Sequence, residues 1–344
     1  MLCSKKHGGG TVSVAVQTLL DVYQRNTINP SGDLSFDRPL PRTLVHKSAV
    51  SEVFLTDVAP LGADRFLVAA QWPRDHVMFR PSTRGPLDPL LLVETVRQAG
   101  ICISHLFYDV PVGHAFVLTE LDYALDDPAT PPATGTEPPA AVIEVTCGHR
   151  VPRPGRADMA MEAVVSVDDV RRARVGLRWR ALDPGGYARL RRRGERTPDD
   201  RLMDTAPEFA EASGPAAPIS PETVGRPQPR DVVLAPQANG DWLLKLDTGH
   251  PVIFDHSCDH VPGMALLEAF RQAGLIGAHH VTRSAHRASV HFASFGEPGL
   301  PVTISSKRPD GAGPLGEVRA RGMEFTAVQQ GRLLASATLR EGAC

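Results

Sequence analysis

The chain has 344 residues, which is enough for about two domains at roughly 150 residues each. Its 37 lysines and arginines nearly balance its 39 aspartates and glutamates, so charge gives no general attraction to nucleic acid or to a membrane. The five cysteines are scattered and include no CxxC pair, which argues against a disulfide framework or a zinc knuckle and predicts reduced thiols in the cytoplasm.

Residues 1–42 are predicted to be an N-terminal extension, followed by a first domain over 43–182. Apolar and β-branched content predicts strands in this domain at 45–55, 65–72, 115–121, 140–147, 159–167 and 173–182. After the second strand come a loop with His76 and a helix over 88–108. The helix begins at Asp88-Pro89, because Asp is a favoured N-cap and Pro a favoured first helical residue.

Residues 183–230 are predicted to be an Arg- and Pro-rich linker with too few large apolar side chains for a core. A second domain over 231–344 then repeats the plan of the first. Its predicted strands are 231–235, 241–247, 287–295, 301–307, 315–327 and 331–339, with a histidine-rich loop at 250–260 and a helix at 262–280. One long helix against a run of antiparallel strands, made twice, predicts an α+β fold.

The helix itself is present twice. LLVETVRQAG at 91–100 and ALLEAFRQAG at 265–274 lie 174 positions apart, so that Glu94, Arg97 and Gln98 recur as Glu268, Arg271 and Gln272. Residues three and four apart share a helix face, so each copy places one polar cluster in an apolar segment. A repeat at this long period indicates two related domains rather than a solenoid of short repeats.

The glutamates of the repeat have two interpretations. A carboxylate on a helix covered by a sheet is costly unless it is paired or faces a cavity, which makes Glu94 and Glu268 candidate catalytic residues. Alternatively, each glutamate forms an i,i+3 ion pair with its arginine that serves packing alone. The repetition does not separate these interpretations, because a duplicated structural pair would also persist.

The segment HPVIFDHSCDHVPGMALLEAFRQAG resembles the active-site segment of hot-dog-fold dehydratases and thioesterases. Over about residues 43–340 the chain more closely resembles the A-factor biosynthesis, or γ-butyrolactone synthase, family of actinomycetes. The segments that carry this resemblance are VHKSAVSEVFLTD, AQWPRDH, DPLLLVETVRQAG, FDHSCDHVPGM and LLEAFRQAG, in that order.

The resemblance implies a double hot-dog fold in which two long helices are each wrapped by an antiparallel sheet. It also implies transfer of a β-ketoacyl group from an acyl carrier protein to dihydroxyacetone phosphate, without a cofactor. The ester would then cyclise to a butenolide, the precursor of a γ-butyrolactone hormone that controls antibiotic production. The expected partners are the carrier protein and dihydroxyacetone phosphate, with no nucleic acid or membrane, in a pseudo-dimeric monomer or a homodimer.

Such an acyl transfer needs a base, donors for an oxyanion and a cation for the phosphate. Glu268 is predicted to be the main base, with burial raising its pKa toward neutrality, while Glu94 serves a second pocket or the packing of the first half. Arg271 is predicted to bind the phosphate, and amides at the helix start near Gly263 to hold the thioester oxygen. The other predicted substrate-binding residues of the two helices are Arg97, Gln98 and Gln272.

The histidines complete the candidate site. His256 lies twelve residues before Glu268, about where the dehydratases have their catalytic histidine, although the spacing to the Pro-Gly pair differs by two residues. His260 is a substrate-binding candidate, and His76 is interpreted as the first-half match of His256, in a functional or a structural role. A metal site at His256-x3-His260 is disfavoured, because Pro262 and Gly263 follow too closely for a ligand-bearing helix.

The Arg-rich stretch at 171–196 has two interpretations: a docking patch for an acidic carrier protein, or a solvated strand face and linker. The chain lacks GxxxxGK[ST], GxSxG and HExxH motifs, and no apolar run approaches the roughly 18 residues of a membrane helix. The alternative functions are a hot-dog dehydratase or thioesterase on a related thioester, and a non-catalytic module that binds an acyl chain or hormone.

Overall fold

A computed structural model describes residues 34–79, 87–126, 137–195, 218–277, 285–308 and 322–341. We call 34–195 the first half and 218–341 the second half. The strands of the first half are β1 (Leu55–Gly62), β2 (Arg65–Gln71), β3 (Ala115–Leu125), β4 (Ala140–Arg153), β5 (Arg156–Val167) and β6 (Val170–Leu182). Those of the second half are β7 (Leu234–Pro236), β8 (Trp242–Leu244), β9 (Ala285–Phe292), β10 (Thr303–Lys307), β11 (Gly322–Gln329) and β12 (Arg332–Glu341).

Within the described residues these twelve strands form one antiparallel sheet in the order β1-β2-β4-β5-β6-β3-β9-β12-β11-β10-β8-β7. From either end of the sheet inward, the strands of that half follow the same order: first, second, fourth, fifth, sixth and third in the chain. The halves join where β3 pairs with β9, from Glu120 opposite His291 to Ala124 opposite Arg287. The sheet therefore continues from one half into the other.

The first core helix, α1 (Pro89–Phe107), begins where the sequence predicts. The Asp88 side chain accepts a hydrogen bond from the Leu90 amide at 2.9 Å, and Pro89 occupies the first helical position, which lacks an intrahelical acceptor anyway. Its length and apolar composition would suit a membrane helix, but 89% of its most apolar window is buried inside the protein. It is therefore a core helix of the first half.

The corresponding core helix of the second half runs over Gly263–Gly277; residues 278–280 of its predicted range lie outside the described residues. Side chains of β5 alternate between buried and more exposed positions along the strand, as expected for a sheet with one face covered by a helix. Buried side chains from both halves form one continuous hydrophobic cluster that includes Leu91, Val93, Phe270 and Phe325. The two halves therefore share a core.

Several segments differ from their sequence-based predictions. The strands predicted at 231–235 and 241–247 are shorter in the structure, as β7 and β8. The predicted strand at 45–55 is instead a pair of 3-10 helices, Arg42–Val45 and Val50–Glu52, and the strand begins only at Leu55. The segment predicted as linker contains a helix, α2 (Pro184–Glu195), and later two 3-10 helices, Pro221–Val224 and Pro229–Asp231. We name the second core helix α3 (Gly263–Gly277). Residues 1–33, 196–217 and 315–321 of other predicted segments lie outside the described residues.

Candidate functional site

The first polar cluster is centred on Glu94 of α1. Arg97 donates to both carboxylate oxygens, from Nε at 2.8 Å and from Nη2 at 2.7 Å. Lys47, from the loop after the first 3-10 helix, places its Nζ 3.0 Å from Glu94 Oε1. Burial alone raises the pKa of Glu94, but these two cations outweigh it and hold the pKa well below its usual value. Glu94 is thus ionised and paired.

Gln98 fixes this cluster to the backbone. Its amide nitrogen donates to the Glu52 carbonyl at 2.7 Å and to Glu94 Oε1 at 3.0 Å, while its oxygen accepts from the Phe54 amide at 3.0 Å. Both of its donors are therefore occupied, and the side chain is fully buried. The geometry supports a structural role for Gln98 rather than the predicted contact with substrate.

The second cluster, centred on Glu268 of α3, repeats this arrangement. Arg271 donates from Nε and Nη2 to the two carboxylate oxygens at 2.8 and 2.7 Å. Gln272 donates to Glu268 at 2.6 Å and to the Asp231 carbonyl at 2.7 Å, and accepts from the Val233 amide. Arg226 occupies the place that Lys47 has in the first cluster. Its guanidinium donates to both Glu268 oxygens, each at 2.7 Å. Gln272, like its counterpart, has no donor left for substrate.

Arg226 also bonds the two halves together. Its Nη1 donates to the Met78 carbonyl at 2.9 Å and to the carboxylate of Asp88, the N-cap residue of α1. The side chain is 1% exposed, and its partner Glu268 is 0% exposed. Arg271 Nη2 also donates to the Val224 carbonyl oxygen at 2.7 Å. The second cluster is therefore an internal ionic junction.

The predicted pKa of Glu268 is wrong in direction. Burial does favour a higher pKa, but Arg226 and Arg271 outweigh it and lower the pKa from 4.5 to about 2. A carboxylate held in this state is a weak base, and it already accepts hydrogen bonds on both oxygens. The geometry therefore does not support Glu268 as the base, and Arg271, the predicted phosphate ligand, does not line the cleft described below.

These depressed pKa values predict that the protein loses stability in acid. A carboxyl with a lowered folded-state pKa stabilises the fold above its unfolded pKa, and this contribution is lost as pH falls through the folded pKa. For Glu268, from 4.5 to about 2, the loss is about 3 kcal/mol. Urea unfolding between pH 6 and 3 should show the decline, and Glu268→Gln should flatten it. An equal slope in the variant would contradict this attribution.

A cleft lies between the first cluster and the loop of the second half. It is lined by Lys47, Met78, Phe79, Leu90, Glu94, Arg97, Val252, Ile253, Asp255, His256, Cys258, Pro262, Gly263 and Met264. Of the predicted site residues, it brings together Glu94, Arg97, His256 and Gly263. Those that do not line it are Gln98, Glu268, Arg271, Gln272, His76 and His260.

His256 is the cleft histidine with a carboxylate neighbour. Its Nδ1 lies 3.4 Å from Asp255 Oδ2, and its side chain is 19% exposed. Burial opposes ionisation of Asp255, but the His256 contact and the amides of Ser48 and Ala49, at 2.6 and 2.9 Å, hold its pKa below the usual value. Asp255 is thus an ionised, fixed partner that orients His256 and joins the second-half loop to the first half.

His76 is not the counterpart of His256. Its Nδ1 accepts from the amides of Met78 and Phe79, at 3.2 and 3.1 Å, and its Nε2 lies 3.2 Å from Glu52. His250 makes the same contacts with the amides of Val252 and Ile253 and with Asp231. The two histidines are 174 positions apart, the period of the helix repeat. The sequence-based matching of His76 to His256 is wrong, and the geometry supports a loop-fixing role for His76.

The chain matches the model of the A-factor biosynthesis hotdog domain twice, over residues 28–183 and 208–344. It belongs to that family. The chain is 37% identical over 237 residues to a 2-oxo-3-(phosphooxy)propyl 3-oxoalkanoate synthase of Streptomyces virginiae, covering 68% of this chain and 75% of the relative. It is 33% identical over 293 residues to a synthase of the same name from Streptomyces coelicolor, covering 83% of this chain and 87% of that relative.

Among solved structures, the fold is similar to an acyl-ACP thioesterase from Bacteroides thetaiotaomicron, with 13% identity and a TM-score of 0.42, covering 80% of this chain and 97% of the thioesterase. The double hot-dog architecture expected from the sequence is confirmed by the family match and by the strand order. Each matched range contains one helix with its Glu-Arg-Gln cluster.

Sequence reasoning missed the second cation of each cluster. Lys47 and Arg226 occupy equivalent positions in VHKSAVSEVF at 45–54 and VGRPQPRDVV at 224–233, which lie 179 positions apart. Both segments continue from a 3-10 helix through a left-handed residue, His46 at φ 54° and Gly225 at φ 65°. Comparison of the two family segments, with a five-residue difference in spacing allowed, could have found this pair.

A last polar cluster lies behind the cleft. His260 Nδ1 is 2.6 Å from Asp259 Oδ1, and the Tyr187 hydroxyl of α2 donates to the same oxygen at 2.8 Å. Cys258 Sγ lies 3.7 Å from His260 Nε2. Among the described residues, Cys258, Asp259 and His260 also form a group close enough to hold a metal ion, with ligand atoms within 4.8 Å. His256, which belonged to the metal site disfavoured from the sequence, is not part of this group.

Proposed function

We propose that this protein transfers a β-ketoacyl group from an acyl carrier protein to a hydroxyl group of dihydroxyacetone phosphate. The product is the ester after which the Streptomyces relatives are named, a 2-oxo-3-(phosphooxy)propyl 3-oxoalkanoate. The ester is proposed to cyclise to a butenolide, the precursor of a signalling hormone, in keeping with a family model named for A-factor biosynthesis. The observation that carries the proposal is a cleft that combines an oriented histidine with two cations and a helix start.

His256 is proposed as the general base. The acceptor hydroxyl must lose a proton as its oxygen attacks the acyl carbon, and a histidine near neutral pH suits this transfer. Asp255 accepts from one ring nitrogen, which leaves the other ring nitrogen to accept the hydroxyl proton. Asp255 is itself fixed by two amides of the first half, so the imidazole is oriented across the junction of the halves.

Lys47 and Arg97 are proposed to bind the phosphate. The Lys47 ammonium has three donors, of which Glu94 Oε1 accepts one, and Arg97 keeps Nη1 beyond its two bonds to Glu94. The start of α3 at Gly263 lines the same cleft and adds the positive end of a helix dipole. Together these groups form an anion site that the closed second cluster does not offer.

Arg97 borders an apolar hollow that is proposed to hold the acyl chain. The hollow is lined, beyond Arg97, by Gly100, Ile101, Phe116, Leu118, Leu177 and Trp179. Gly100 permits close contact with the indole, because a Cβ at this position would lie 3.0 Å from a ring carbon of Trp179. A chain that extends from the cleft into this hollow would bury methylene groups at about 0.8 kcal/mol each.

Helix α2 is proposed to receive the carrier protein. Arg189 and Arg192 are exposed on this helix, whereas Tyr187 and Arg191 contact Asp259 beside the cleft. A carrier protein with an acidic surface would be attracted to the exposed arginines and would bring its thioester to the cleft. The protein is proposed to act in the cytoplasm, where its carrier and acceptor would be present.

Arg97→Lys is expected to raise the KM for dihydroxyacetone phosphate about 10-fold, because lysine keeps the charge but cannot bond to both Glu94 oxygens and still present the Nη1 donor to the phosphate. Arg271→Lys is the matched control, since Arg271 occupies the same position of the repeat but does not line the cleft. Steady-state kinetics with the acceptor varied would measure both. A larger effect on acceptor KM in the Arg271 variant would place the phosphate at the second cluster instead.

The proposed function is tested by a mass spectrum of products from the purified protein, a β-ketoacyl carrier protein and dihydroxyacetone phosphate. The expected product is the phosphorylated ester, formed only when the acceptor is present. Free β-keto acid as the sole product would indicate a thioesterase, and an α,β-unsaturated thioester a dehydratase. A parallel reaction with the β-ketoacyl pantetheine thioester tests the docking proposal, which requires a clear preference for the carrier-bound donor.

A further inference from the structure

Cys258 occupies an unusual position among the described cysteines. It lines the cleft and is half-buried, whereas Cys102 and Cys147 are buried in the core. It follows His256 by two residues, so its thiol and the proposed base belong to the same loop of the second half. A thiol at this position can meet a thioester that enters the cleft.

His260 lies directly behind this thiol and is held as a base. Its Nδ1 lies 2.6 Å from Asp259 Oδ1, and we assign the ring proton to this nitrogen, which leaves the lone pair on Nε2. Cys258 Sγ lies 3.7 Å from Nε2 and 3.8 Å from Nδ1. Burial lowers the pKa of His260, but the bond to Asp259 and the neighbouring thiol outweigh it and raise the pKa. The Tyr187 hydroxyl fixes Asp259 in turn. Nucleophile, base and orienting carboxylate are the three parts that an activated thiol requires.

The surroundings of this cluster favour nucleophilic chemistry over metal binding. Arg191 donates to the Asp259 carbonyl at 3.0 Å, and its Nε lies 3.9 Å from Asp259 Oδ2. A guanidinium so close to a ligand carboxylate would repel a divalent cation. The same charge stabilises the ionised Asp259, whose pKa is lowered to about 2 by the bonds from His260 and Tyr187 and by Arg191, which outweigh burial.

We propose that Cys258 accepts the acyl group as a thioester before it reaches the acceptor, with His260 as its base and Asp259 as the orienting residue. This inference rests on the proposed function. In the first step the Cys258 proton passes to His260 Nε2, and the sulfur attacks the acyl carbon of the carrier thioester. The carrier thiolate leaves and takes the proton from His260, which leaves an S-acyl Cys258.

In the second step His256 takes the proton of the acceptor hydroxyl, and the oxygen attacks the S-acyl carbon. The bond from that carbon to sulfur breaks, and the Cys258 thiolate leaves. The thiolate regains a proton from solvent, and His256 releases its proton to solvent. The two histidines thus serve different steps, and the kinetics are those of a ping-pong reaction in which the carrier protein departs before the acceptor reacts.

The test is intact-mass analysis of the purified full chain after mixing with a β-ketoacyl carrier protein without acceptor. The expected result is a mass increase of one acyl group, located on Cys258 by peptide mapping and lost when dihydroxyacetone phosphate is added. Cys258→Ala should lose the adduct, whereas Cys147→Ala, at a buried cysteine outside the cleft, should keep it. Formation of the ester at the wild-type rate by Cys258→Ala would overturn the inference and leave the proposed function intact.

A second measurement does not depend on the acyl donor. Iodoacetamide should alkylate Cys258 faster at pH 7 in the wild type than in His260→Asn, because the base promotes the thiolate. Equal rates would overturn the pairing. An acyl adduct on Cys258 without formation of any ester would support Cys258 as the nucleophile. It would contradict dihydroxyacetone phosphate as the acceptor in the proposed function. One equivalent of tightly bound zinc in the purified protein, lost in Cys258→Ala, would overturn the inference in favour of a metal site.

Discussion

Replacement of His256 by alanine is expected to lower kcat by about 10²–10⁴-fold, the usual loss for a positioned general base. The thermal midpoint should change little, because His256 is 19% exposed and contacts one carboxylate at 3.4 Å. Its neighbour Asp255 would remain fixed by the Ser48 and Ala49 amides, so the loop should keep its position. Steady-state rates with both substrates and a thermal melt would measure the two quantities together.

The control is His149→Ala, at an exposed histidine on β4 that packs against Tyr108 away from the cleft. This variant should keep the wild-type rate. Glu268→Gln provides the contrast expected from the pairing in the structure: lower stability with turnover largely retained at temperatures where the variant is folded. If Glu268→Gln is stable and inactive while His256→Ala is active, the assignment of the base is wrong.

Arg226→Met is expected to lower the free energy of unfolding by about 3–5 kcal/mol, the usual range for removal of one partner of a buried ion pair. The loss arises because Glu268 and Asp88 would remain in the core without the guanidinium that they share. Methionine keeps much of the side-chain volume, so the effect reports mainly on charge. Urea unfolding at pH 7 would measure it.

Arg178→Met is the matched control. Its ion pair with Glu120 is exposed, at 62% and 54% for the two side chains. Water and salt screen such a pair, so its loss should cost about 0–1 kcal/mol. A second comparison adds Glu268→Gln to Arg226→Met, which should recover part of the lost stability because the double variant removes one negative as well as one positive charge from the buried cluster. An Arg226 variant as stable as the Arg178 variant would show that the junction of the halves does not depend on this cluster.

The sequence predicted the parts of the fold that depend on local patterns. Asp88 and Pro89 define the start of α1, and the 174-residue repeat identified both helices and their polar clusters. Most strands were found but several were predicted too short, because alternation weakens near strand ends; β4, for example, continues to Arg153. The error at 45–55 has a local cause, since a short apolar run can form 3-10 turns as well as a strand.

The chemistry of the site was harder to predict, because it depends on residues that are distant in the chain. Burial raises the pKa of Glu268, but Arg226, 42 positions away, lowers it together with Arg271, so burial alone gave the wrong direction. The cleft forms where α1 meets the loop around His256, a contact between the halves that no pattern within either half reveals. Roles assigned by position in the repeat were therefore less reliable than the repeat itself.

The pairing of β3 with β9 joins two halves of the same polypeptide into one sheet, so the two halves need not be identical in sequence. In a homodimer of identical subunits, each substitution would appear at both symmetry-related interfaces at once. In the fused chain the two interfaces can diverge independently. The first polar cluster contains Lys47 and lines a cleft. The second cluster contains Arg226 at the equivalent position and joins the two halves. Duplication thus allowed the two clusters to diverge, so that one lies beside a cleft and the other holds the halves together.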